Sequence, residues 1–476
     1  MLHKIKQVNK RVIFFPIILI LVLFSCEQNT EIIDTDSVIK KDSIIKKEVK
    51  YSLEKNLLDS WFPRIVDKEN GGYYTKFNYK WELVSAFPKM IVTQSRPVWV
   101  ASKAAQRYSE KTKFKKAAHH GFKFLKNKMW DDKYGGFFFK LPNNDSTNNS
   151  QIKRAYGNAF AIYALTEYYR LTGDEESKKL AKKTFRWMDK AFYDSSYGGY
   201  FDFSTRRGVS YAHKQDFNPE MFPDNPQVKY KDYNSTIHIM EAFSSLYRVW
   251  PNETLKQRLQ EIFHIVRDTM VNETGYLNLN FEEDWELISF KDSSRKYIKE
   301  HHYLDNVSFG HDIETAYLLL EAGEVLNLNN DKTHRIAKSL VNHTLNYGFD
   351  KNYAGLFYSG YYFKEDKEPT IIDNKKSWWP QAEGLNGLLL FSYLYPEKKE
   401  YKSAFYNLWH YTKKYIIDQR YGGWYNTGLD VKGHNRRSDP KAWKWKSCYH
   451  SYRALENLYK MLKNKEPIVG EHKKNQ

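Results

Sequence analysis

The sequence predicts an all-α protein in which six helical hairpins close into a toroid, an (α/α)6 barrel. Three observations support this prediction. Aromatic–glycine turns recur six times, an amphipathic helix is predicted before each turn, and a more apolar helix is predicted after it. Closing six hairpins into a ring removes the exposed ends that an open array of helical repeats would leave. The barrel is expected to span residues 49–465.

The recurring turns place glycine beside aromatic residues and follow the first helix of each pair. They are about 63 to 80 residues apart, which suits one helix pair and a connecting loop. The turns lie at 70–74, 134–138, 197–201, 274–276, 353–357 and 421–425, and the fourth copy is shortened. Six such repeats account for nearly the whole chain between residues 51 and 460.

Periodicity and capping residues predict twelve helices. They are expected near 51–66, 91–108, 112–129, 153–172, 174–191, 233–250, 252–270, 308–327, 331–347, 378–395, 400–418 and 446–462. One boundary is especially clear, because Gly173 ends a helix and Asp174 can cap the next. The second helix of each pair is the more apolar, as in 159–165, so these six helices are expected to form an inner ring.

The N-terminal residues are predicted to lie outside the barrel. A basic start precedes an apolar run at 12–24, which has the length of a signal-peptide core and is short for a membrane span. The run ends in Leu-Phe-Ser-Cys, which resembles a bacterial lipobox and implies cleavage before Cys26 and lipid attachment to its thiol. Residues 1–25 are therefore predicted to be a lipoprotein signal peptide, 26–48 a tether and 466–476 a polar tail.

This N-terminus predicts a protein that is anchored to a membrane and does not span it, in the bacterial cell envelope on the periplasmic or the surface side. A plain secretory signal is the alternative, because Phe24 stands where a lipobox usually has a small residue. Apart from Cys26 the chain contains only Cys448, so a lipid-modified protein has no cysteine pair for a disulfide.

Composition excludes one class of partner and favours another. The formal net charge is +18, but the lysines are scattered and acidic residues lie between them, which predicts a solvated surface and no nucleic-acid partner. Aromatic residues make up 17% of the chain. Such a content either packs a large core or lines a pocket that stacks against flat apolar faces such as those of sugar rings.

Polar residues gather at the starts of the predicted inner helices. In chain order they are Arg96, Tyr156, Asn158, Asn234, His238, His311, Glu314, Trp379, Glu383 and His450. His311 and Glu314 share one face of a helix that is otherwise almost purely apolar. Any one of these residues alone is better interpreted as a satisfied core group, but independent core groups would not all fall at the same end. The pattern predicts an active site at one mouth of the barrel, where helix N-termini favour developing negative charge.

Six segments at these helix starts resemble the motifs of the N-acylglucosamine 2-epimerase superfamily and are most similar to its cellobiose (or mannobiose) 2-epimerase branch. They are residues 94–99, 156–161, 234–238, 310–314, 378–383 and 445–450. The resemblance implies an (α/α)6 barrel, in agreement with the helix count. It also implies inversion at C2 of the reducing-end sugar of a β-1,4-linked disaccharide, with an oligosaccharide as substrate and neither cofactor nor metal.

The resemblance further implies roles for individual residues. His311 and His450 match the proton-transfer pair, and a neutral imidazole with a pKa of about 6.5 can act as base and then as acid near neutral pH. Arg96 would stabilise the oxyanion of a cis-enediolate, His238 would help to open the ring, and Glu314 would orient an imidazole. Substrate contacts are implied for Tyr156, Asn158, Asn234, Trp378, Trp379, Glu383 and Trp445.

Three other functions fit parts of the sequence. A glycoside hydrolase of the same barrel type would use two carboxylates, such as Asp312 or Glu314 with Glu383. An aldose–ketose isomerase of the same superfamily would move the proton between C1 and C2, and a silent glycan-binding lipoprotein would need no histidines. Thr236 and Tyr317 depart from the family's usual histidine and tryptophan, which leaves the sugar preference open.

Overall fold

Six helices form a closed inner ring in a computed structural model that describes residues 35–84, 87–141, 151–211, 229–430 and 438–470. These helices are α3 (Ile91–Arg107), α5 (Ala155–Thr172), α7 (Tyr233–Tyr247), α10 (Phe309–Leu326), α12 (Trp378–Leu394) and α14 (Tyr449–Asn464). Each contacts the next in chain order, and α14 contacts α3, so the ring is complete. Apolar side chains cover most of α5, α7, α10 and α12, which favours their burial inside the ring. The helices α3 and α14 are less apolar and also bury several polar side chains.

An outer layer packs against the ring, one helical segment to each inner helix. Its helices are α4 (Thr112–Phe124), α6 (Glu175–Ala191), α8 (Glu253–Ile265), α11 (Asp331–His343) and α13 (Lys399–Tyr411). The sixth segment is the wide helical turn Ser52–Leu58 with α2 (Asp59–Trp61), which packs on α14. The (α/α)6 prediction is confirmed, and eleven of the twelve predicted helices begin within three residues of their observed starts.

The first helix begins earlier than predicted. Contacts divide the chain after Asp42 into two units, and α1 (Thr35–Tyr51) starts inside the segment 26–48 that was predicted to be a tether. Ile45, Val49 and Leu53 are buried in the hydrophobic core. Their four-residue spacing places them on one helix face, so the last part of the predicted tether belongs to the barrel.

Short strands brace the loops that lead into the inner helices. The described loops contain four antiparallel pairs: β1 (Lys89–Met90) with β2 (Lys140–Leu141), β3 (Ile152–Arg154) with β4 (Phe203–Thr205), β5 (Lys231–Asp232) with β6 (Asn280–Phe281), and β7 (Ser359–Tyr361) with β8 (Thr370–Asp373). Neither these strands nor the short helix α9 (Arg295–His301) was predicted, because segments of this length carry no detectable periodicity.

Buried ion pairs fasten five of the six aromatic–glycine turns to the chain just before an inner helix. In the described residues the pairs are Asp67–Lys89, Asp131–Lys153, Asp194–Lys231, Asp350–Lys376 and Asp418–Lys441, with oxygen–nitrogen distances of 2.5 to 2.9 Å. The first four lysines lie two residues before their helix. The turns therefore fix where the inner helices start, and with them the residues predicted to be catalytic.

Glycine is required in these turns by space as well as by conformation. Gly72 has a φ of +66°, and a Cβ atom there would come within 2.4 Å of Gln94 Oε1. That glutamine accepts a hydrogen bond from the backbone nitrogen of Tyr73 at 2.7 Å, so the turn lies directly against the start of α3.

The predicted signal peptide 1–25 and Cys26 lie outside the described residues, as does 471–476 of the predicted tail. Within the part of the chain that is described, no helix combines the length and the apolar character needed to cross a membrane.

Candidate active site

A cavity of about 630 Å³ lies where the six inner helices begin. Its wall consists of Arg96, Tyr156, Tyr233, Asn234, His238, His311, Glu314, Tyr358, Asp373, Lys375, Ser377, Trp378, Trp379, Asn426, Thr427, Asp439, Trp443, Trp445 and His450. Every inner helix contributes a side chain from its first two turns, and the connecting loops supply the rest. The volume is that of a small-molecule site, and aromatic faces mixed with hydrogen-bonding groups suit a sugar.

Ten of the twelve residues that the sequence predicted for catalysis or substrate binding line this cavity. They are Arg96, Tyr156, Asn234, His238, His311, Glu314, Trp378, Trp379, Trp445 and His450. Residues from opposite ends of the chain therefore meet at one site. Asn158 and Glu383 do not line the cavity. The Asn158 side chain forms hydrogen bonds with backbone groups, and the Glu383 side chain forms one with His450.

Two of the three cavity histidines are held by carboxylates. His450 Nδ1 lies 2.7 Å from Glu383 Oε1, and His238 Nδ1 lies 2.9 Å from Glu241 Oε2. An ionised carboxylate only accepts, so each Nδ1 carries the hydrogen and each Nε2 keeps its lone pair for the cavity. Glu383 was predicted to bind substrate, and the structure instead gives it the task of orienting His450.

The third histidine has a neutral partner. His311 Nδ1 lies 2.6 Å from Ser308 Oγ, and Glu314, which the sequence placed on the same helix face, contacts α14 instead. A hydroxyl can donate or accept, so it leaves both tautomers of His311 available. The Trp379 ring contacts His311 with centroids 4.4 Å apart and His450 with centroids 5.9 Å apart. Both imidazoles thus border the same part of the cavity.

Both of these imidazoles are neutral at neutral pH. Burial lowers the pKa of His311 well below its ordinary value, and the nearby His238 and His450 lower it further. Burial, followed by Arg96 and Arg453, likewise holds the pKa of His450 well below the ordinary value. A neutral imidazole with an open Nε2 is the form of histidine that can remove a proton from carbon.

Arg96 brings a buried positive charge to the wall. Its Nη2 donates to Tyr156 Oη at 2.9 Å and its Nη1 to the Trp445 carbonyl at 3.3 Å, while Nε has no hydrogen-bond partner in the described part of the chain. No carboxylate among the described residues forms an ion pair with it, although its side chain is 3% exposed. A buried cation without a counter-ion is costly, and an anion that develops in the cavity would compensate it.

The family model for N-acylglucosamine 2-epimerase (GlcNAc 2-epimerase) matches residues 72–454, most of the chain. The chain belongs to this family. A cellobiose 2-epimerase of Bacteroides fragilis is 28% identical over 416 residues, which cover 87% of this chain and 98% of that protein. One of Ruminococcus albus is 27% identical over 410 residues, covering 85% and 96%.

Solved structures agree with this assignment. The cellobiose 2-epimerase from Bacillus thermoamylovorans B4167 superimposes with a TM-score of 0.75 and 26% identity, covering 89% of this chain and all of that one. The predicted branch of the superfamily is thereby confirmed, and the chain is an isomerase of the 2-epimerase type.

Asn158 is a structural residue of the epimerase and was wrongly predicted to bind substrate. Its side chain is fully buried, with Oδ1 accepting from the Phe137 nitrogen at 2.8 Å and Nδ2 donating to the Arg154 carbonyl at 2.8 Å. Gln94 and Gln381 occupy the corresponding places at two other turns. The amide therefore stabilises the repeated turn. Its position at a helix start, shared with the residues of the cavity wall, is what led to the prediction of a substrate contact.

Arg453 is a central residue of the epimerase that the sequence analysis did not identify. It is 2% exposed and does not line the cavity. Its Nη1 donates to Glu241 Oε1 and to Tyr449 Oη, both at 2.7 Å, and its Nη2 donates to Glu314 Oε1. The same Nη2 forms an ion pair with Glu383 Oε1 at 2.8 Å. Three inner helices thus each direct a glutamate to one guanidinium.

A sequence signal for this cluster does exist. A charged residue follows each cavity histidine by three positions, on the same helix face: Glu241 after His238, Glu314 after His311 and Arg453 after His450. Of these three pairs, only His311 with Glu314 was predicted from the sequence to share a role.

The same cluster is the place where a metal ion would be sought. Glu314, Glu383 and His450 bring one ligand atom each within 4.8 Å of one another. The guanidinium of Arg453 already contacts both carboxylates and supplies positive charge at that point. The donor set therefore fits an ion-paired cluster better than a metal centre.

Proposed function

We propose that this chain is a cofactor-independent 2-epimerase that interconverts glucose and mannose at the reducing end of β-1,4-linked disaccharides such as cellobiose or mannobiose. The observation that carries the proposal is the pair of neutral imidazoles, His311 and His450, that contact one indole in a cavity with an unpaired arginine. The names of the relatives support the substrate class.

In the proposed mechanism, His450 Nε2 removes the proton from C2 of the open-chain sugar. The C2 electron pair moves into a cis-enediolate, whose oxygen charge Arg96 stabilises together with Tyr156, which it holds. That negative charge favours the protonated form of His311, which takes a proton from solvent water, while the His450 imidazolium returns the C2 proton to the resulting hydroxide, so that no net charge is left. The His311 imidazolium then delivers its proton to the opposite face of C2. In the reverse reaction the two histidines exchange roles.

The carboxylates suggested for a hydrolase are less suitably placed. Asp312 is fully buried and accepts from the Leu277 nitrogen at 2.9 Å, and neither it nor Glu383 lines the cavity. Glu314 and Glu383 both form ion pairs with the same Arg453 nitrogen. Hydrolysis needs two carboxyl groups on either side of the scissile bond, about 5 to 10 Å apart, and these residues do not provide them.

The test is product analysis of the purified full-length chain with cellobiose, mannobiose and N-acetylglucosamine in deuterated water. We expect the C2 epimer of a disaccharide with deuterium at C2 and no ketose. Release of monosaccharide would show a hydrolase, and an accumulating ketose would show an aldose–ketose isomerase. Turnover of N-acetylglucosamine alone would contradict the disaccharide assignment.

We also propose that Cys26 carries a lipid that holds the enzyme at the cell envelope. The apolar run at 12–24 followed by Leu-Phe-Ser-Cys supports this proposal. The full chain expressed in a Gram-negative host should enter the membrane fraction with a lipid-modified N-terminus, and Cys26→Ala should be soluble. Equal recovery of both proteins in the soluble fraction would contradict the anchor.

A further inference from the structure

We propose that Arg453 is a positioning residue that keeps Glu241 and Glu383 ionised, so that both carboxylates accept from the Nδ1 of their histidines and leave Nε2 as a base. The inference rests on the proposed function, in which His450 acts as such a base. It concerns a residue that touches neither substrate nor cavity.

The first argument is geometric. Arg453 lies one helical turn after His450, and its two terminal nitrogens reach the glutamate partners of two different histidines. Glu241 Oε1 accepts from Arg453 while Oε2 accepts from His238, so this carboxylate bridges the guanidinium and the imidazole directly. Glu383 Oε1 lies within hydrogen-bond distance of both Arg453 and His450.

The second argument is electrostatic. Burial alone raises the pKa of a carboxyl group, and it does so for Glu314 and Glu383 even with Arg453 beside them. At Glu241 the effect of burial is outweighed by Arg453 and His238, which lower its pKa to about 2. Three buried glutamates without the guanidinium would repel one another, and at least one would take up a proton.

The titratable and charged groups near Glu383 and His450 come from four of the other inner helices. They are Glu241 and His238 on α7, Glu314 on α10, His450 and Arg453 on α14, and Arg96 on α3, which acts on His450. Arg453 contributes the largest charge effect that lowers the Glu383 pKa. Removing it must therefore raise that pKa.

Protonation of Glu383 would reverse the hydrogen bond to His450. A neutral carboxyl group donates its hydrogen, so Nδ1 would become the acceptor and the imidazole hydrogen would move to Nε2. The nitrogen that faces the sugar would then carry no lone pair. Arg453 thus acts on proton transfer indirectly. It binds Glu383, whose Oε1 lies 2.7 Å from His450 Nδ1 and sets the tautomer of that imidazole.

The test compares Arg453→Gln, Arg453→Lys and Arg107→Gln with the wild type. Arg107 provides the control, because it also pairs with a glutamate, Glu456 of α14 at 3.0 Å, but lies at the end of α3 that is away from the cavity. We expect Arg453→Gln to lower kcat at pH 7 about tenfold, because the acid limb of its kcat profile should move from well below pH 6.5 to about pH 8. The kcat and the acid limb of Arg453→Lys should lie between those of the wild type and those of Arg453→Gln. Arg107→Gln should change thermal stability and neither of these two quantities.

A second measurement does not depend on turnover. In protein labelled with ¹⁵N-histidine, two-bond ¹H–¹⁵N correlations distinguish the Nδ1–H from the Nε2–H tautomer, and the His450 signals are assigned by their loss in His450→Gln. We expect Nδ1–H in the wild type and in Arg107→Gln, and Nε2–H in Arg453→Gln. Arg453→Lys serves for this comparison as well if the glutamine variant does not fold.

Two results would overturn the inference: an Arg453 variant that folds and keeps the wild-type pH profile, or one that keeps the Nδ1–H tautomer at His450. Failure of the proposed function would look different. The wild type would then incorporate no deuterium at C2 of any disaccharide, while the tautomer measurement would still decide the role of Arg453.

Discussion

His450 and Glu383 form a hydrogen bond of 2.7 Å between Nδ1 and Oε1, and both side chains are buried. The sequence separates them by 67 residues, and the barrel joins them because α12 and α14 are neighbours in the inner ring. The bond fixes which imidazole nitrogen carries the hydrogen. In the proposed mechanism it thereby gives a residue outside the cavity a part in proton transfer.

Glu383→Gln should reduce kcat by about 10- to 100-fold with little change in KM. An amide has nearly the same shape but no charge, and it can donate to Nδ1 as well as accept. Glu167→Gln is the control, because Glu167 is equally buried on α5 but contacts Gln106 at 2.6 Å, away from the cavity. Steady-state kinetics decide the matter, and an unchanged kcat in Glu383→Gln would contradict the assigned role.

His311→Ala and His450→Ala should each lose epimerisation by at least about 10³-fold and remain folded. In a two-base reaction the remaining histidine still faces one side of C2. Each variant should therefore exchange the C2 hydrogen of only one epimer in deuterated water, and the two variants should select opposite epimers. ¹H NMR of cellobiose and of its C2 epimer measures this exchange.

His119→Ala is the control for these variants, since His119 contacts Tyr168 at 2.8 Å and does not line the cavity. It should epimerise at the wild-type rate. Substantial epimerisation by either active-site variant would contradict the two-histidine mechanism.

Much of the fold could be predicted because each repeat carries its own signals. The glycine turns, the caps such as Asp174 and the apolar inner helices are local features, and closure of the ring follows from their number. The start of α1 was missed because its buried face consists of only Ile45 and Val49 in a lysine-rich stretch. Weak patterns of this kind become visible only when the surface they cover is known.

The site could be predicted less completely. Residues at helix starts converge because all inner helices run in the same direction, which explains why Arg96 and His450 meet. The partners of the histidines depend on which helices are neighbours and on rotamers, and so Ser308 and Arg453 were not assigned. Loop residues at the mouth, such as Tyr358 and Trp443, follow no helical period and carry no sequence signal of their own.

The acid limb of kcat/KM should lie well below pH 6.5. A histidine removes a proton only when it is neutral. Burial holds the pKa of both His311 and His450 well below the ordinary value, and Arg96 and Arg453 lower that of His450 further. Lowering the pH from 7 to 6 should therefore leave kcat/KM unchanged. Kinetics between pH 4.5 and 9 test this, and half-loss at pH 6.5 or above would contradict it.

The same shifts link acidity to stability. Both imidazoles gain protons more readily in the unfolded chain, where their pKa is about 6.5, than in the folded protein. Their contribution to the free energy of unfolding should be complete above pH 6.5 and decline as the pH falls below it. Thermal unfolding at each pH of the kinetic series measures this decline.

Asn158→Ala and Asn234→Ala should have opposite consequences. Asn158 satisfies two buried backbone groups, so its loss should lower the free energy of unfolding by about 1–3 kcal/mol and leave KM unchanged. Asn234 lines the cavity, so its loss should raise KM and leave stability nearly unchanged. Urea unfolding and saturation kinetics of the two variants form a matched pair. A raised KM in Asn158→Ala would restore it as a substrate ligand.

The repeat that carries His311 predicts how the buried ion pairs behave. Its turn has Asn272 where five other turns have aspartate, and Val307, buried two residues before α10, stands where the lysine would be. Both partners of the pair are thus replaced together. The asparagine keeps the local turn, because its Oδ1 accepts from the Gly275 nitrogen at 3.1 Å.

Lys89→Val should therefore cost about 3–5 kcal/mol of unfolding free energy, because it leaves the buried Asp67 carboxylate without its partner at 2.6 Å. Asp67→Asn combined with Lys89→Val reproduces the natural exception and should be more stable than Lys89→Val alone, since asparagine can still accept from the nitrogens of Glu69 and Asn70. Urea unfolding of Lys89→Val, Asp67→Asn and the double variant measures the difference. If the double variant lost as much unfolding free energy as the two single variants together, the pair would not be replaced as a unit.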